Sequence, residues 1–316
     1  MTRRVLLCLT TAILLGVVVY TGLRAFLRHQ VDGQLQSVAS ATPVLDAIDY
    51  TRLEIQLAPL GIALRDVTLK PSGPSAPLTV RRATLSDYRP GRPLPHRFSL
   101  ALENLSIAAT HPAVAPFQAL LRDLGLTHLD MDLHLRMEKR PAQANAWQGH
   151  LELQVEEAGI WRLMLAVDNL NVEGVRQALE NPPLWWAVLP PVGIQALAAE
   201  FEDGGLVERI VAAQARHDGG APAAARRRLR TSIEAVARQE RIFPLGLLLA
   251  EFIAAPVRIG YYNGNTEPVR LGRLLWSRRF GDWCHALQVA GYRASSPRET
   301  SWVTSTGLIP GKPPRR

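Results

Sequence analysis

The stretch "THLDMDLHLRMEKR", residues 127–140, alternates with a period of two. Met131, Leu133, Leu135 and Met137 are apolar, while Asp130, Asp132, His134 and Arg136 between them are polar. Successive side chains of an extended chain point to opposite faces, so this pattern dictates a strand with one apolar side. The same texture recurs in "YTRLEIQLAP", "GIALRDVTLKP", "LTVRRATLSDY" and "HRFSLALENLSIA", with the Pro/Gly-rich turns "PSGPSAP" and "RPGRPLP" between them. Short alternating runs punctuated by Gly and Pro describe an antiparallel meander. A second meander is expected from 127–140, "GHLELQVEE" and "WRLMLAVDNL".

Helical periodicity takes over elsewhere. Residues 112–125 carry a stripe of Phe117, Leu120, Leu121 and Leu124, stopped at Gly125. "NVEGVRQALENPP" forms a short helix closed by prolines, and "LWWAVLPP" an apolar connector. "VGIQALAAEFED" returns to strand. Helices follow at about 204–217, 222–239 and 244–255, with "HDGGAP" as the first turn. Asp203 stands where it can cap the first of them. "VRIGYYN" and "CHALQVAGYRA" have strand texture, and the tail at 295–316 is expected to be disordered. The fold expected from these elements is α+β: a twisted antiparallel sheet with a helical segment packed on one face.

From Val5 to Leu23 nineteen residues pass without a charge. As a helix they would span roughly 28 Å, close to the thickness of a bilayer core. The run ends in "YTGLRAFLRHQ" without a small-x-small cleavage pattern, which favours an uncleaved anchor over a signal peptide. Arg3 and Arg4 on one side and Arg24 and Arg28 on the other nearly balance. The usual signal-anchor arrangement places the amino end in the cytoplasm and the rest of the chain outside it. The expected organisation is an anchor at 1–28, a juxtamembrane linker at 29–43, and an extracytoplasmic domain at 44–294. That domain is β-rich over 44–170 and mixed helical over 171–294.

Charge is uneven along the chain. Residues 1–203 hold 18 Lys+Arg against 20 Asp+Glu, a balance of −2, and residues 204–316 hold 18 against 8, a balance of +10. A field of this sign favours anionic partners. The strongest cluster is "RRRLR", with Arg226, Arg227, Arg228 and Arg230 fanning around a helix whose Leu229 faces inward. It lacks interleaved aromatics, so nucleic acid is disfavoured. Trp185 and Trp186, between prolines, suit either core cover or contact with lipid or a partner protein.

Catalytic signatures are missing. The sequence has no HExxH, GxSxG, P-loop or GxGxxG pattern. Same-face strand neighbours stand about 7 Å apart, too far to gather Asp130, Asp132 and His134 on one metal without help. These residues fit a solvated sheet face, with Glu152 or Glu156 opposite His134 or Arg136 as cross-strand pairs. Cys8 and Cys284 lie too far apart in character to form a disulfide, and Cys284 beside His285 fits a half-buried strand cysteine. No cofactor, metal site or enzymatic activity is expected.

The stretch "LEIQLAPLGIALRDVTLKPSG…LTVRRATLSDY" adds a resemblance. An anchor, a Gly-x-x-Leu-x-Asp-Val-x-Leu strand from Gly61 to Leu69 and a following Leu-x-Val strand resemble the AsmA-like bacterial envelope proteins over residues 1–110. The resemblance implies a single-pass inner-membrane protein with its bulk in the periplasm. It implies a non-enzymatic role in lipid handling or outer-membrane assembly, with membrane lipid, lipopolysaccharide or other envelope proteins as partners. The helices of 204–255 depart from a pure β-groove. A structural scaffold binding another envelope protein is the alternative, and a hydrolase with an unrecognised site the remote one.

Overall fold

The computed structural model describes residues 45–294 except 58–59, 73–75, 88–96, 141–144, 264–266 and 276–279, together with residues 28, 29, 31–33 and 36. The expected anchor run, residues 5–23, and the tail at 295–316 lie outside the described residues. No helix among the described residues is long and apolar enough to cross a membrane.

The structure is α+β. In chain order the elements are β1 (Leu45–Asp49), β2 (Arg52–Leu57), β3 (Leu60–Pro71), β4 (Leu78–Ser86) and β5 (Arg97–Ala108). A 3-10 turn (Pro112–Phe117) leads into α1 (Gln118–Asp123), followed by β6 (His128–Lys139), β7 (Trp147–Val155) and β8 (Gly159–Asp168). Then come α2 (Val172–Glu180), a 3-10 turn (Pro182–Leu184), α3 (Trp185–Val188) and β9 (Gly193–Asp203). The helical segment is α4 (Leu206–Asp218), α5 (Pro222–Gln239) and α6 (Phe243–Ala254). The last elements are β10 (Arg258–Asn263), β11 (Val269–Arg270), α7 (Leu271–Leu275), α8 (Phe280–Ala286) and β12 (Val289–Ala294).

The described strands form one 12-stranded sheet in the order β1-β3-β4-β5-β6-β7-β8-β9-β10-β12, with β2 beside β3 and β11 beside β9. Every pairing is antiparallel. The two expected meanders are thus one, because β5 and β6 pair directly across the intervening 3-10 turn and α1. Two short segments differ from the sequence expectation. "LWWAV" closes into a 3-10 turn and α3, and the first three residues of "CHALQVAGYRA" belong to α8 rather than to strand. Cys284 and His285 therefore sit on a helix.

Register keeps the apolar residues in line. Leu85 opposes Leu100, Leu100 opposes Leu135, Leu135 opposes Leu151 and Leu151 opposes Leu163. The neighbouring row runs Leu53, Leu64, Ala83, Leu102, Leu133, Leu153, Trp161, Phe201 and Ile259. One extra residue interrupts the alternation at the same level of three strands. Asp66 on β3, Arg81 on β4 and Asn104 on β5 fall between the paired residues Arg65, Val67, Arg82, Val80, Glu103 and Leu105. Asp66 and Asn104 take φ of 49° and 52°, a left-handed backbone that Asn and Asp accept more readily than other non-glycine residues. Relative to β6 this is a β-bulge, and its freed Asn104 N–H donates to Asp132 Oδ1 at 2.6 Å. Asp132, an acidic candidate in the sequence, satisfies a backbone donor.

The helices cover one end of the apolar face. Val207, Val211 and Ala215 of α4, Ala225 of α5, and Phe252 and Ile253 of α6 bury against Ile259, with Phe201 and Tyr261 beside them. Trp161 stacks on Phe201 at 4.7 Å between centroids, and Phe201 meets Phe252 edge-on. Asp203 performs the expected capping role: its Oδ1 accepts from Val207 N at 3.0 Å and its Oδ2 from Gly205 N at 3.2 Å.

Behind the helices the opposite face of the sheet carries an ion network beside a small buried apolar cluster of Met164, Ala166, Ala196 and Ala198 with Tyr262. Arg162 donates to Glu152 and Glu200 at 2.9 Å and to Glu202 at 3.1 Å, and Arg258 donates to Glu202 at 2.9 Å. Glu200 is wholly enclosed, at 0% side-chain exposure. Burial disfavours charge on Arg162, but its three glutamates outweigh this and hold its pKa above the usual guanidinium value.

The α5–α6 crossing depends on Gly246. A Cβ there would stand 2.0 Å from the Ala237 Cβ, so the helices could not keep their separation. Gly246→Ala is expected to lower stability by about 1–3 kcal/mol in thermal or urea unfolding. Gly220→Ala, with open space around it, is expected to change stability by less than about 0.5 kcal/mol.

Candidate functional site

Among the described residues the apolar face is covered at its margins and open at its centre. At the β2–β4 margin Val31 packs with Leu53, Leu64, Val67 and Val80. Tyr50 fastens that helical segment, donating its hydroxyl to Asp32 at 2.7 Å, with Arg28 over the ring at 5.8 Å. At one end of the strands Leu121 of α1 and Leu124 just after it meet Leu129 and, from α4, Leu206 and Ile210. At the other end Trp147, Val167 and Val192 are buried with Leu165, Val172 and Leu271. Helices α4 to α6 close the β9–β10 side.

Between these walls lie Leu100 of β5, Leu133 and Leu135 of β6, Leu151 and Leu153 of β7, and Leu163 of β8. None of them joins the buried clusters. All but Leu163 are half-buried, and Leu163 is 36% exposed. Met131 and Met137 extend the floor along β6. From strand spacing, the β5–β8 floor measures about 14 Å across and 20 Å along the strands. The result is a shallow trough with a leucine and methionine floor and helical walls. Fully burying each leucine would yield about 1.5–3 kcal/mol, and contiguous exposed apolar area of this kind marks interaction surfaces. The floor of β6 contains no β-branched residue, although those suit strands best. Leucine, free of branching at Cβ, and unbranched methionine can instead adapt to what lies on them.

The sequence-expected site residues fall in two places. Trp185 is half-buried in α3, and Trp186 beside it is 68% exposed, next to the exposed Leu184. This tip precedes the first residue of β9. The arginines lie on α5, beside Ala254 at the end of α6, near the other end of β9, where Glu202 pairs with Arg258. The structure therefore does not bring the tryptophans and the arginines together. It also divides the arginines. Arg226, Arg227 and Arg230 line a cleft with Ala254, whereas Arg228 turns away to Asp218 at 2.7 Å.

The acidic and histidine residues of 127–140 form no catalytic or metal group. His134 does lie opposite Glu152, but Glu152 is engaged by Arg162, and Arg136 pairs with Glu138 on its own strand at 3.1 Å. Among the described residues no three His, Cys, Asp or Glu could hold a metal ion. Burial pushes the Cys284 thiol above its usual pKa, with Glu240 adding to the shift, so its nucleophilic thiolate is disfavoured. Burial likewise drives the Tyr261 phenol up to about 12.

Comparison with known proteins brings no match to a family model, a curated protein or a solved structure. The trough was only half visible in the sequence. Alternation gave the apolar face, but a covered face and an open one share the same pattern.

Two outcomes follow. Leu163→Ala is expected to cost under about 1.5 kcal/mol in urea unfolding, because Leu163 has little cover to lose. Leu274→Ala, at a fully enclosed position, is expected to cost about 2–5 kcal/mol. His150 supplies a pH test. Burial, then the charge of Arg136, lowers its pKa, and Glu138 opposes them. Its Nε2 lies 2.6 Å from Gln148 Nε2, and the neutral ring can accept that amide's hydrogen bond. The folded chain holds this proton less tightly than the unfolded one. The contribution is therefore present above the ordinary histidine pKa of about 6.5, and is lost as pH falls through it towards the lower folded value. Urea midpoints are expected to drop over that window, and less steeply in His150→Gln.

Proposed function

We propose that this chain is a membrane-anchored, AsmA-like envelope protein that shelters the acyl part of a lipid or amphiphile in its open leucine trough. The observation that carries this reading is the in-register floor of Leu100, Leu133, Leu135, Leu151, Leu153 and Leu163, which no buried cluster includes. One acyl chain occupies half of a bilayer core, about 15 Å, which matches the roughly 14 Å breadth of four strands. Position supports it as well. The helical turn carrying Val31 borders the trough, and the bilayer-length run ends at Leu23, eight residues earlier. An anchored chain would thus hold the trough close to the membrane surface, on the periplasmic side of a bacterial inner membrane. The role is binding rather than catalysis, and lipopolysaccharide is within the class of amphiphiles the trough suits.

A scaffold that binds another envelope protein is the second reading, and the exposed Trp186 and Leu184 favour it. The test is to purify the full chain in mild detergent and identify co-extracted lipids by mass spectrometry. A defined lipid class is expected at near-stoichiometric yield. The double variant Leu135→Gln/Leu151→Gln is expected to lose it at least fivefold while keeping the circular dichroism of the parent. Absence of any enriched lipid, together with a stoichiometric protein partner, would favour the scaffold instead.

A further inference from the structure

Helices α5 and α6 are antiparallel neighbours, close-packed where Gly246 meets Ala237. Towards the start of α5 they leave a cleft of roughly 450 Å³, lined by Pro222, Ala223, Arg226, Arg227, Arg230 and Ala254. Residues spaced by three and four share a helix face, which is why Ala223, Arg226, Arg227 and Arg230 converge here and Arg228 does not.

The three guanidinium groups are not equivalent. Arg226 is clamped: it donates to the Ala254 carbonyl at 3.1 Å and to the Glu208 carboxylate. It thereby satisfies an end carbonyl of α6 and spends its charge on Glu208. Arg227 and Arg230 have no carboxylate partner within ion-pair distance among the described residues. Arg230 Nε is shielded from solvent and lacks an acceptor there. Two uncompensated guanidinium groups three residues apart on one face of a helix make an anion site. The planar donor forks of arginine match phosphate oxygens, which accept from two such groups at once. The cleft lies within the size range of small-ligand sites, so it has room for a substituent on the phosphate. None of its lining residues is aromatic, which argues against a stacked nucleobase.

We infer that the cleft between α5 and α6 binds a phosphate group, with Arg227 and Arg230 as its ligands and Arg226 as the positioning residue that keeps the cleft open. The phosphate arrives either on a lipid headgroup or free in solution. This inference does not rest on the acyl trough, which lies on a different set of residues.

The test titrates the full chain, in a non-ionic detergent at low salt, with inorganic phosphate and separately with dihexanoyl phosphatidic acid below its micelle concentration. Saturable binding is expected, weakened about tenfold by Arg227→Gln and by Arg230→Gln, as for loss of a charge-assisted hydrogen bond. Arg228→Gln, on the far side of α5, is expected to bind as the parent does. Phosphatidic acid binding at least tenfold tighter than phosphate identifies the headgroup as the source, and equal binding identifies free phosphate. No saturable binding by either probe, or equal weakening by Arg228→Gln, overturns the site. Arg227 is exposed, so its variant tests the claim even if Arg230→Gln folds poorly. The Leu135→Gln/Leu151→Gln variant should bind inorganic phosphate normally, which separates failure of this site from failure of the trough.

Discussion

The antiparallel hydrogen-bond ladder is the constraint on which everything else in this molecule depends. A ladder fixes which residue faces which, and a slip of one position sends every side chain to the wrong side. Here one chain of pairings links β1 to β12, with register shifts at β1–β3, β5–β6 and β8–β9, so the phase of the whole sheet is fixed by its ladders and those few bulges. Leucines contributed by strands far apart in sequence therefore meet in one row. The glutamates and arginines between them meet on the other side, where the Arg162 network gathers around Glu200.

Cover on the apolar side is selective. The aromatic residues Trp161 and Phe201 and the β-branched Ile259 receive the helices of the carboxy-terminal half. Among the described residues the central leucines receive no helix and stay half-buried or, at Leu163, exposed, and leaving such area open forgoes hydrophobic stabilisation. The basic helices lie beside this opening rather than over it. Their arginines are sorted by partner: Arg226 and Arg228 are each held by an acid, and Arg227 and Arg230 are left to the cleft.

Much of this was legible in the amino-acid order. Strands with strict alternation, such as β6, and helices with long apolar stripes, such as α4 and α5, stand within a residue or two of where periodicity puts them. Short elements were less legible. β1 is only "LDAID", too brief to show a period, and it exists because β3 offers an edge. α8 forms where Trp283, Ala286 and Leu287 pack under Leu274, a tertiary cause that local texture does not encode. The joining of the two meanders rests on the β5–β6 pairing, which no local pattern announces. The sorting of "RRRLR" depends on Glu208, Asp218 and Ala254 from other elements, so the cluster alone could not divide itself.

The extra residue shared by β3, β4 and β5 bears on how such a chain can change length over evolutionary time. Asp66, Arg81 and Asn104 sit side by side, so each strand keeps step with its neighbour only because all three carry the insertion. Deleting one of them alone would turn half of that strand inside out, placing charge among the leucines. Growth or shrinkage of this sheet thus falls to its turns, to a coordinated change along a line of strands, or to a bulge such as β5 makes against β6.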